Sequence, residues 1–240
     1  MTNDSLLIKK ETYNINHLAR YKCAKLAKKN KVKRYILPSS CSIYGYNNKT
    51  VDETSKVNAI TSYAKANYLS ERDILPLASK NFCVTVLRQA TVFGYSPRMR
   101  FDLAINGMSE GAYRTGKLPI MRNGKQIRPL LHVKDTSRAM IFLLKQKLKK
   151  INKEIFNVGS KKCTKSIKQL ALVVQKNIKG VKFRWYGDPD HRSYKVDFSK
   201  INSLGFKIKY DLDYGVKEIL KKLNNNKIKK DKRSITLDWY

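Results

Sequence analysis

The chain has 240 residues, enough for one large domain or one domain with a smaller lobe, and its 42% hydrophobic and 10% aromatic content argues against wholesale disorder. Its formal net charge of +33 brings nucleic acid or an acidic membrane surface into view as partners, yet the lysines are spread over almost every segment with no interleaved aromatic stripe. Four scattered cysteines with no C-x-x-C pair suggest neither a disulfide framework nor a zinc site, and three histidines are too few for a His-rich metal site. With no signal-peptide pattern and no apolar run of about 18 residues, the expected location is the cytoplasm, away from membranes.

Apolar residues Ile15, Leu18, Ala19, Cys23, Leu26 and Ala27 recur at helical spacing and predict a helix over residues 14–30. Residues 32–37 read as a strand that leaves through Pro38-Ser39-Ser40. A second helix is expected over 62–80, followed by the buried-type strand 83–87. A helical stretch at 98–116 precedes a short strand at 130–133, and Asp135 is placed as N-cap of a helix over 136–146. A strand at 155–158, a helix at 166–179, a strand at 182–185 and a last helix at 214–223 complete the series. The Lys/Asn-rich tail, 225–240, is expected to be mobile. The alternation predicts an α/β fold with a mostly parallel sheet and helices on both faces.

Three motifs carry chemistry. Ser39-Ser40-Cys41-Ser42-Ile43-Tyr44-Gly45 stands at the C-terminal end of a predicted strand, where open α/β sheets bind ligands; alone it reads more readily as a serine-rich turn. Thr61-Ser62-Tyr63-Ala64-Lys65-Ala66-Asn67 opens a helix, and Leu87-Arg88-Gln89-Ala90-Thr91-Val92-Phe93-Gly94 runs from a strand into a loop. In this order the three resemble the NAD-dependent epimerase/dehydratase branch of the extended short-chain dehydrogenase/reductase family, which acts on nucleotide sugars. The resemblance continues through Ser96-Pro97-Arg98-Met99-Arg100-Phe101-Asp102, Arg128-Pro129-Leu130-Leu131-His132-Val133-Lys134-Asp135, Phe156-Asn157-Val158-Gly159 and Arg192-Ser193-Tyr194-Lys195-Val196-Asp197.

The resemblance implies a Rossmann-like fold, with residues 1–95 as the remaining part of that domain and 96–224 mainly a substrate-binding lobe that also returns elements to the sheet. Ser40 would hydrogen-bond the sugar hydroxyl being oxidised, and Tyr63 would take its proton while hydride leaves for NAD. The slot of the family's lysine, one helical turn after the tyrosine, holds Asn67, while Glu71 fixes the register. Lys65 lies about 200° around the helix from Tyr63 and cannot substitute. Tyr63 and Gln89 would face the cofactor, Thr91 the sugar and nicotinamide, and Arg128 and Arg192 the substrate diphosphate. Arg98 and Arg100 would contact phosphate or sugar, and His132 would pack rather than react. Cys41 and Ser42 stand where the 4,6-dehydratases carry Asp and Glu, so epimerase or ketoreductase chemistry fits better than water elimination.

The family's G-x-x-G-x-x-G turn is missing, since no two of the 11 glycines are three residues apart. On the resemblance, two βαβ units are lacking from the start of the fold, and the strand ending at Leu37 lacks a neighbour on one side. The expected partners are a nucleotide sugar together with either a homodimer mate, met through helices 14–30 and 62–80, or a separate cofactor-binding polypeptide. Three readings stand: an impaired or partner-dependent epimerase-type enzyme, a non-catalytic nucleotide-sugar-binding remnant, and a basic nucleic-acid-binding protein.

Overall fold

The computed structural model describes residues 6–188, 193–228 and 234–235. The chain opens with α1 (Leu6–Tyr13), which continues through a π-helical segment (Asn14–Ala19) into α2 (Arg20–Lys29). Then come β1 (Arg34–Ser40), a 3₁₀ turn (Cys41–Tyr44), β2 (Thr50–Val51), α3 (Ser62–Ile74) and β3 (Cys83–Gln89). The middle of the chain supplies β4 (Thr91–Phe93), α4 (Ala104–Thr115), β5 (Lys117–Met121), β6 (Ile127–His132) and α5 (Val133–Leu144). There follow α6 (Leu148–Ile151), β7 (Glu154–Val158), β8 (Thr164–Ser166), α7 (Ile167–Asn177) and β9 (Lys182–Tyr186). The last elements are β10 (Lys195–Val196), α8 (Ser199–Ser203) and α9 (Leu212–Asn224).

The chain forms two compact units. The first joins Met1–Ala90 to the returning segments Arg138–Val158 and Val196–Phe206. Its sheet is parallel, in the order β1-β3-β7, with β3 in the middle and β1 at an edge. β3 is buried along almost its whole length because both its ladders are occupied, and this accounts for the unbroken Cys83-Val84-Thr85-Val86-Leu87 run. Ala24 of α2, Ile74 of α3 and Leu37, Val84 and Val86 of the strands form one apolar cluster with Phe82.

The second unit comprises Thr91–Ser137, Gly159–Lys195 and Lys207–Tyr240. A β4-β6-β8 sheet, with β4 and β6 parallel, and a parallel β5-β9 pair accompany α4, α7 and α9. Ile105, Leu118, Ile120, Leu170, Val174, Val216 and Ile219 lie at the centre of its core.

Several boundaries differ from the sequence expectation, each for a local reason. The first helix begins earlier, and its middle is π-helical. The helix expected over 62–80 ends at Ile74, and a 3₁₀ turn containing Pro76 follows. Residues 98–103 form a loop, not the start of α4, because Asn106 Nδ2 takes the Arg100 carbonyl (3.1 Å) while its Oδ1 accepts from Gly94 N (3.1 Å). Asp135 does not cap a helix: α5 already starts at Val133, and the Asp135 carboxylate accepts the backbone N–H groups of Lys209 and Tyr210 at 2.9–3.1 Å. Of the tail, residues 229–233 and 236–240 lie outside the described residues, whereas Ile228 is buried in the second unit's core and the Ser234 carbonyl accepts from Phe101 N at 2.8 Å.

His132 shows how tightly the second unit is packed. It is buried, its Nδ1 accepts from Lys134 N (3.2 Å) and its Nε2 meets Glu218 Oε2 at 3.1 Å. Gly94 approaches with φ +110°, and a Cβ there would lie 2.5 Å from His132 Nε2. Burial depresses the His132 pKa, with Glu218 opposing. A depressed folded-state pKa means that the stability carried by the neutral ring is present above the ordinary value of about 6.5 and is lost as pH falls below it. We therefore expect the urea midpoint to drop between neutral pH and about pH 5, with the His132 imidazole titrating by NMR below the ordinary histidine value of about 6.5; a His132 signal titrating above that value contradicts this.

Candidate active site

The register of the first unit's sheet sets Ser40, at the end of β1, opposite Gln89, at the end of β3. Ser40 is still extended, and its Oγ caps the 3₁₀ turn by accepting from Ser42 N at 3.1 Å. Around it two polar atoms are buried without a hydrogen-bond partner, Ser42 Oγ and Gln89 Oε1. Each such group costs about 1–3 kcal/mol unless something satisfies it, so their clustering at the carboxyl ends of parallel strands marks a place built for a polar ligand. Cys41 beside them is no nucleophile: its thiol is buried, donates to the Arg88 carbonyl (3.3 Å) and is pushed far above its ordinary pKa by burial.

Thr61 caps α3, its Oγ1 accepting from Ala64 N at 3.2 Å, and Tyr63 follows in the first turn. Tyr63 is 46% exposed, and Lys65 is exposed as well. Asn67, one turn on, is fully buried. Its Nδ2 donates to the Tyr63 carbonyl (2.8 Å), and its Oδ1 accepts from Arg20 Nη1 (2.8 Å). Motif reading missed Arg20. The available signal was position: Arg20 is four residues before the buried Ala24, on the helix face that turns inward.

Beneath these groups lies a buried ionic network. The Arg88 and Glu71 side chains, 4% and 3% exposed, pair through Arg88 Nη2 to Glu71 Oε2 at 2.7 Å and Arg88 Nε to both carboxylate oxygens at 3.0–3.1 Å. Ser39 Oγ also donates to Glu71 Oε1. Arg88 Nη1 donates to Tyr44 Oη (2.9 Å), which donates on to Asn157 Oδ1 (2.8 Å), and Asn157 N donates to Glu53 Oε1 (2.7 Å). Burial alone would depress the guanidinium pKa, but Glu71 raises it well above the ordinary value. Burial also pushes the Tyr44 phenol far up, so Tyr44 stays a neutral structural link.

The remaining expected site residues belong to the second unit. Thr91 opens β4, partly buried, and Arg98 is exposed, its carbonyl accepting from Ser96 Oγ at 2.5 Å. Arg100 is held by Asp102 through Nε (3.2 Å) and Nη2 (2.7 Å), and Arg128 on β6 donates to the Ile127 carbonyl (3.0 Å). Arg192 lies outside the described residues.

Residues 2–159, more than half of the chain, match the model of the NAD dependent epimerase/dehydratase family. The chain belongs to this family. The putative UDP-glucose 4-epimerase of Methanocaldococcus jannaschii is 25% identical over 221 residues, covering 89% of this chain and 70% of that protein. The fold is similar to that of MoeE5 in complex with UDP-glucuronic acid and NAD, with a TM-score of 0.78 at 23% identity, covering 88% of this chain and 71% of the other. The UDP-glucuronic acid 4-epimerase of Bacillus cereus, in complex with UDP-glucuronic acid and NAD, superposes with a TM-score of 0.77 at 22% identity over 88% of this chain and 68% of its own. The α/β architecture is thus that of a Rossmann-like protein. Among the described residues no helix is long and apolar enough to cross a membrane.

The family uses NAD, and these residues match one end of that cofactor better than the other. The unpartnered Ser42 Oγ and Gln89 Oε1 fit the reacting end of a polar ligand. The phosphates are another matter, because their usual cradle is a glycine turn leading into a helix N-terminus, and the first glycine in the sequence is Gly45. That glycine has φ +61° and turns against the Asn58 carbonyl, which a Cβ would approach to 2.1 Å. The described residues therefore do not fit the dinucleotide as a whole. For the buried pair, removing one partner while leaving the other in place should cost about 3–5 kcal/mol. Glu71→Gln is accordingly expected to lower unfolding free energy by that amount in urea titrations, and Glu71→Leu/Arg88→Met to recover a large part; equal losses in both would show that the ionic pair is not the tie.

Proposed function

We propose that this chain carries the substrate-binding and proton-transfer part of an NAD-dependent epimerase-type reaction on a nucleotide sugar. The observation that carries this reading is the pair of buried, unpartnered polar atoms flanking Ser40 at the carboxyl ends of β1 and β3. In the proposed role, Ser40 Oγ hydrogen-bonds a sugar hydroxyl and Tyr63 accepts its proton as the carbon is oxidised, then returns it when the carbon is reduced. A free phenol has a pKa of about 10 and is a weak base near neutrality, so a positive charge close by is needed to help it. Arg128 and Arg192 serve the diphosphate, to which a planar guanidinium can offer two donors at once. Arg98 and Arg100 serve phosphate or sugar, and Thr91 the sugar.

The UDP-sugars bound in the similar structures support this substrate class. Cys41 and Ser42 provide no acid–base pair for eliminating water, which favours epimerisation or ketone reduction over dehydration. Because the described residues lack the phosphate cradle, no hydride step is assigned to them.

A fluorescence titration with NADH, with and without UDP-glucose, tests the reading. The expected result is thermal stabilisation by UDP-glucose without micromolar NADH binding by the chain alone; no stabilisation by any UDP-, dTDP- or GDP-sugar would refute the proposed substrate class. Asn67→Lys is expected to give no epimerase turnover on its own, and measurable turnover by that variant without an added cofactor-binding fragment would overturn the argument from the missing cradle.

A further inference from the structure

β9 is an interleaved stripe of cations and aromatic rings, which the even spread of lysines along the chain conceals. Its sequence is Lys182-Phe183-Arg184-Trp185-Tyr186. Phe183 packs against the second unit's core, whereas the other four residues are exposed, Trp185 by 42% and Tyr186 by 45%. β9 pairs with β5 alone, so its outer edge carries no strand among the described residues. Scattered exposed rings need no explanation, but two adjacent ones framed by cations on an open strand edge form a patch with a chemistry of its own.

The surroundings are equally one-sided. The register sets Lys117 of β5 directly beside Lys182, and like charges on neighbouring strands, about 4.8 Å apart, repel. Arg122 and Lys125 follow β5, and Lys168 stands in the first turn of α7. Lys168 and Trp185 both close on Gly124, where a Cβ would lie 3.3 Å from the Lys168 Cβ and 3.2 Å from the indole. The indole is therefore seated on backbone beside a cation while much of its ring stays open. Of the nearby acids, Glu110 on α4 is taken by Arg114 at 2.9 Å, and Asp188 follows β9. Among the described residues Lys117, Arg122, Lys125, Lys168, Lys182 and Arg184 make no ion pair. Positive charge gathered in this way without compensation favours an anionic partner.

We propose that the β5–β9 ribbon binds a single-stranded nucleic acid, with Trp185 and Tyr186 stacking bases and Lys182, Arg184 and the neighbouring cations taking phosphates. Single strands are held in this manner, by ring faces that accept any base and by cations that follow the backbone. A duplex keeps its base faces stacked inside, and a lipid surface is met by a helix with a broad apolar face, not by cations and rings alternating along a strand edge. The surface lies wholly within the second unit and does not depend on the roles given to Ser40 and Tyr63.

The test is fluorescence anisotropy of labelled oligo-U and oligo-dT strands with the full chain over a series of salt concentrations. Trp185→Ala is expected to weaken binding about tenfold. Arg184→Gln should reduce the slope of log affinity against log salt by about 0.7, the share of one phosphate contact on a single strand. Lys145→Gln/Lys149→Gln, which removes two exposed charges from the first unit, should change affinity less than Trp185→Ala does. The chain has two tryptophans, and in a Trp239→Phe background the Trp185 emission should be quenched as its ring stacks on a base. No quenching, together with equal losses in the two units' variants, would leave only diffuse charge and overturn the proposal. Tighter binding of a duplex, or binding of phosphatidylserine vesicles in place of both strands, would overturn it as well. So would displacement of the strand by saturating UDP-glucose, which would assign these rings to the nucleotide sugar. Tighter binding of oligo-U than of oligo-dT supports the proposal with RNA as the strand, and the reverse order supports it with DNA. Should Trp185→Ala not fold, Lys182→Gln/Arg184→Gln at two exposed positions carries the test, and an unchanged affinity and salt slope in that variant overturns the proposal.

Discussion

The Arg88–Glu71 pair is the interaction on which the first unit's site depends. Arg88 sits near the end of the central strand β3 and Glu71 in the middle of α3, and the Glu71 carboxylate also takes the hydroxyl of Ser39 on β1. One buried pair thus ties both strand ends to the helix that presents Tyr63. In a low-dielectric interior such a pair tolerates little displacement, because each partner left alone would be an uncompensated charge. Through Tyr44, Asn157 and Glu53 the same network reaches β7 and the segment after the 3₁₀ turn. The strand ends are therefore fixed by polar chemistry, while the strand middles are fixed by apolar packing.

Against this well-satisfied network, the unsatisfied groups stand out. Ser42 Oγ and Gln89 Oε1 are orphaned a few residues from side chains that bond to every available neighbour. Gln126 Oε1 and Thr136 Oγ1 are also buried without a partner, but only Ser42 Oγ and Gln89 Oε1 flank the ends of adjacent parallel strands. The site's incomplete bonding is what supports reading it as the place of a polar ligand.

Much of the architecture was legible because it obeys simple periodicities. The β3 run of apolar residues and the helical spacing in α2, α7 and α9 identified those elements, and Ser166 with Gln169 forms the capping box that starts α7. The failures were local. Pro76 shortened α3 at a point where apolar periodicity continued, and Asn106 held residues 98–103 out of α4 through contacts no pattern encodes. Asp135 has the composition of a cap but serves the backbone of Lys209 and Tyr210, some 70 residues later. Short strands such as β2, β4 and β8 carry too few residues to show alternation. Ser40, Tyr63 and Asn67 are candidates picked out by motif, whereas the hydrogen bond from Arg20 to Asn67 belongs to no motif and becomes visible only when α2 is laid against α3.

The discontinuous assembly of the first unit bears on the order in which the protein can form. The central strand β3 finds its partner β1 early in the chain, but its other neighbour, β7, arrives only at Glu154–Val158, with the whole of the second unit's first segment in between. A nascent chain emerging from the ribosome must therefore hold an apolar ladder open on one side while more than sixty residues are added. Asn157, which satisfies Tyr44, comes with the same late strand, so the buried polar network is closed by the step that seals the sheet. Long-range parallel pairing of this kind folds slowly and exposes sticky intermediates. Temperature of expression and access to chaperones should thus govern the yield of this protein more than the stability of its finished state.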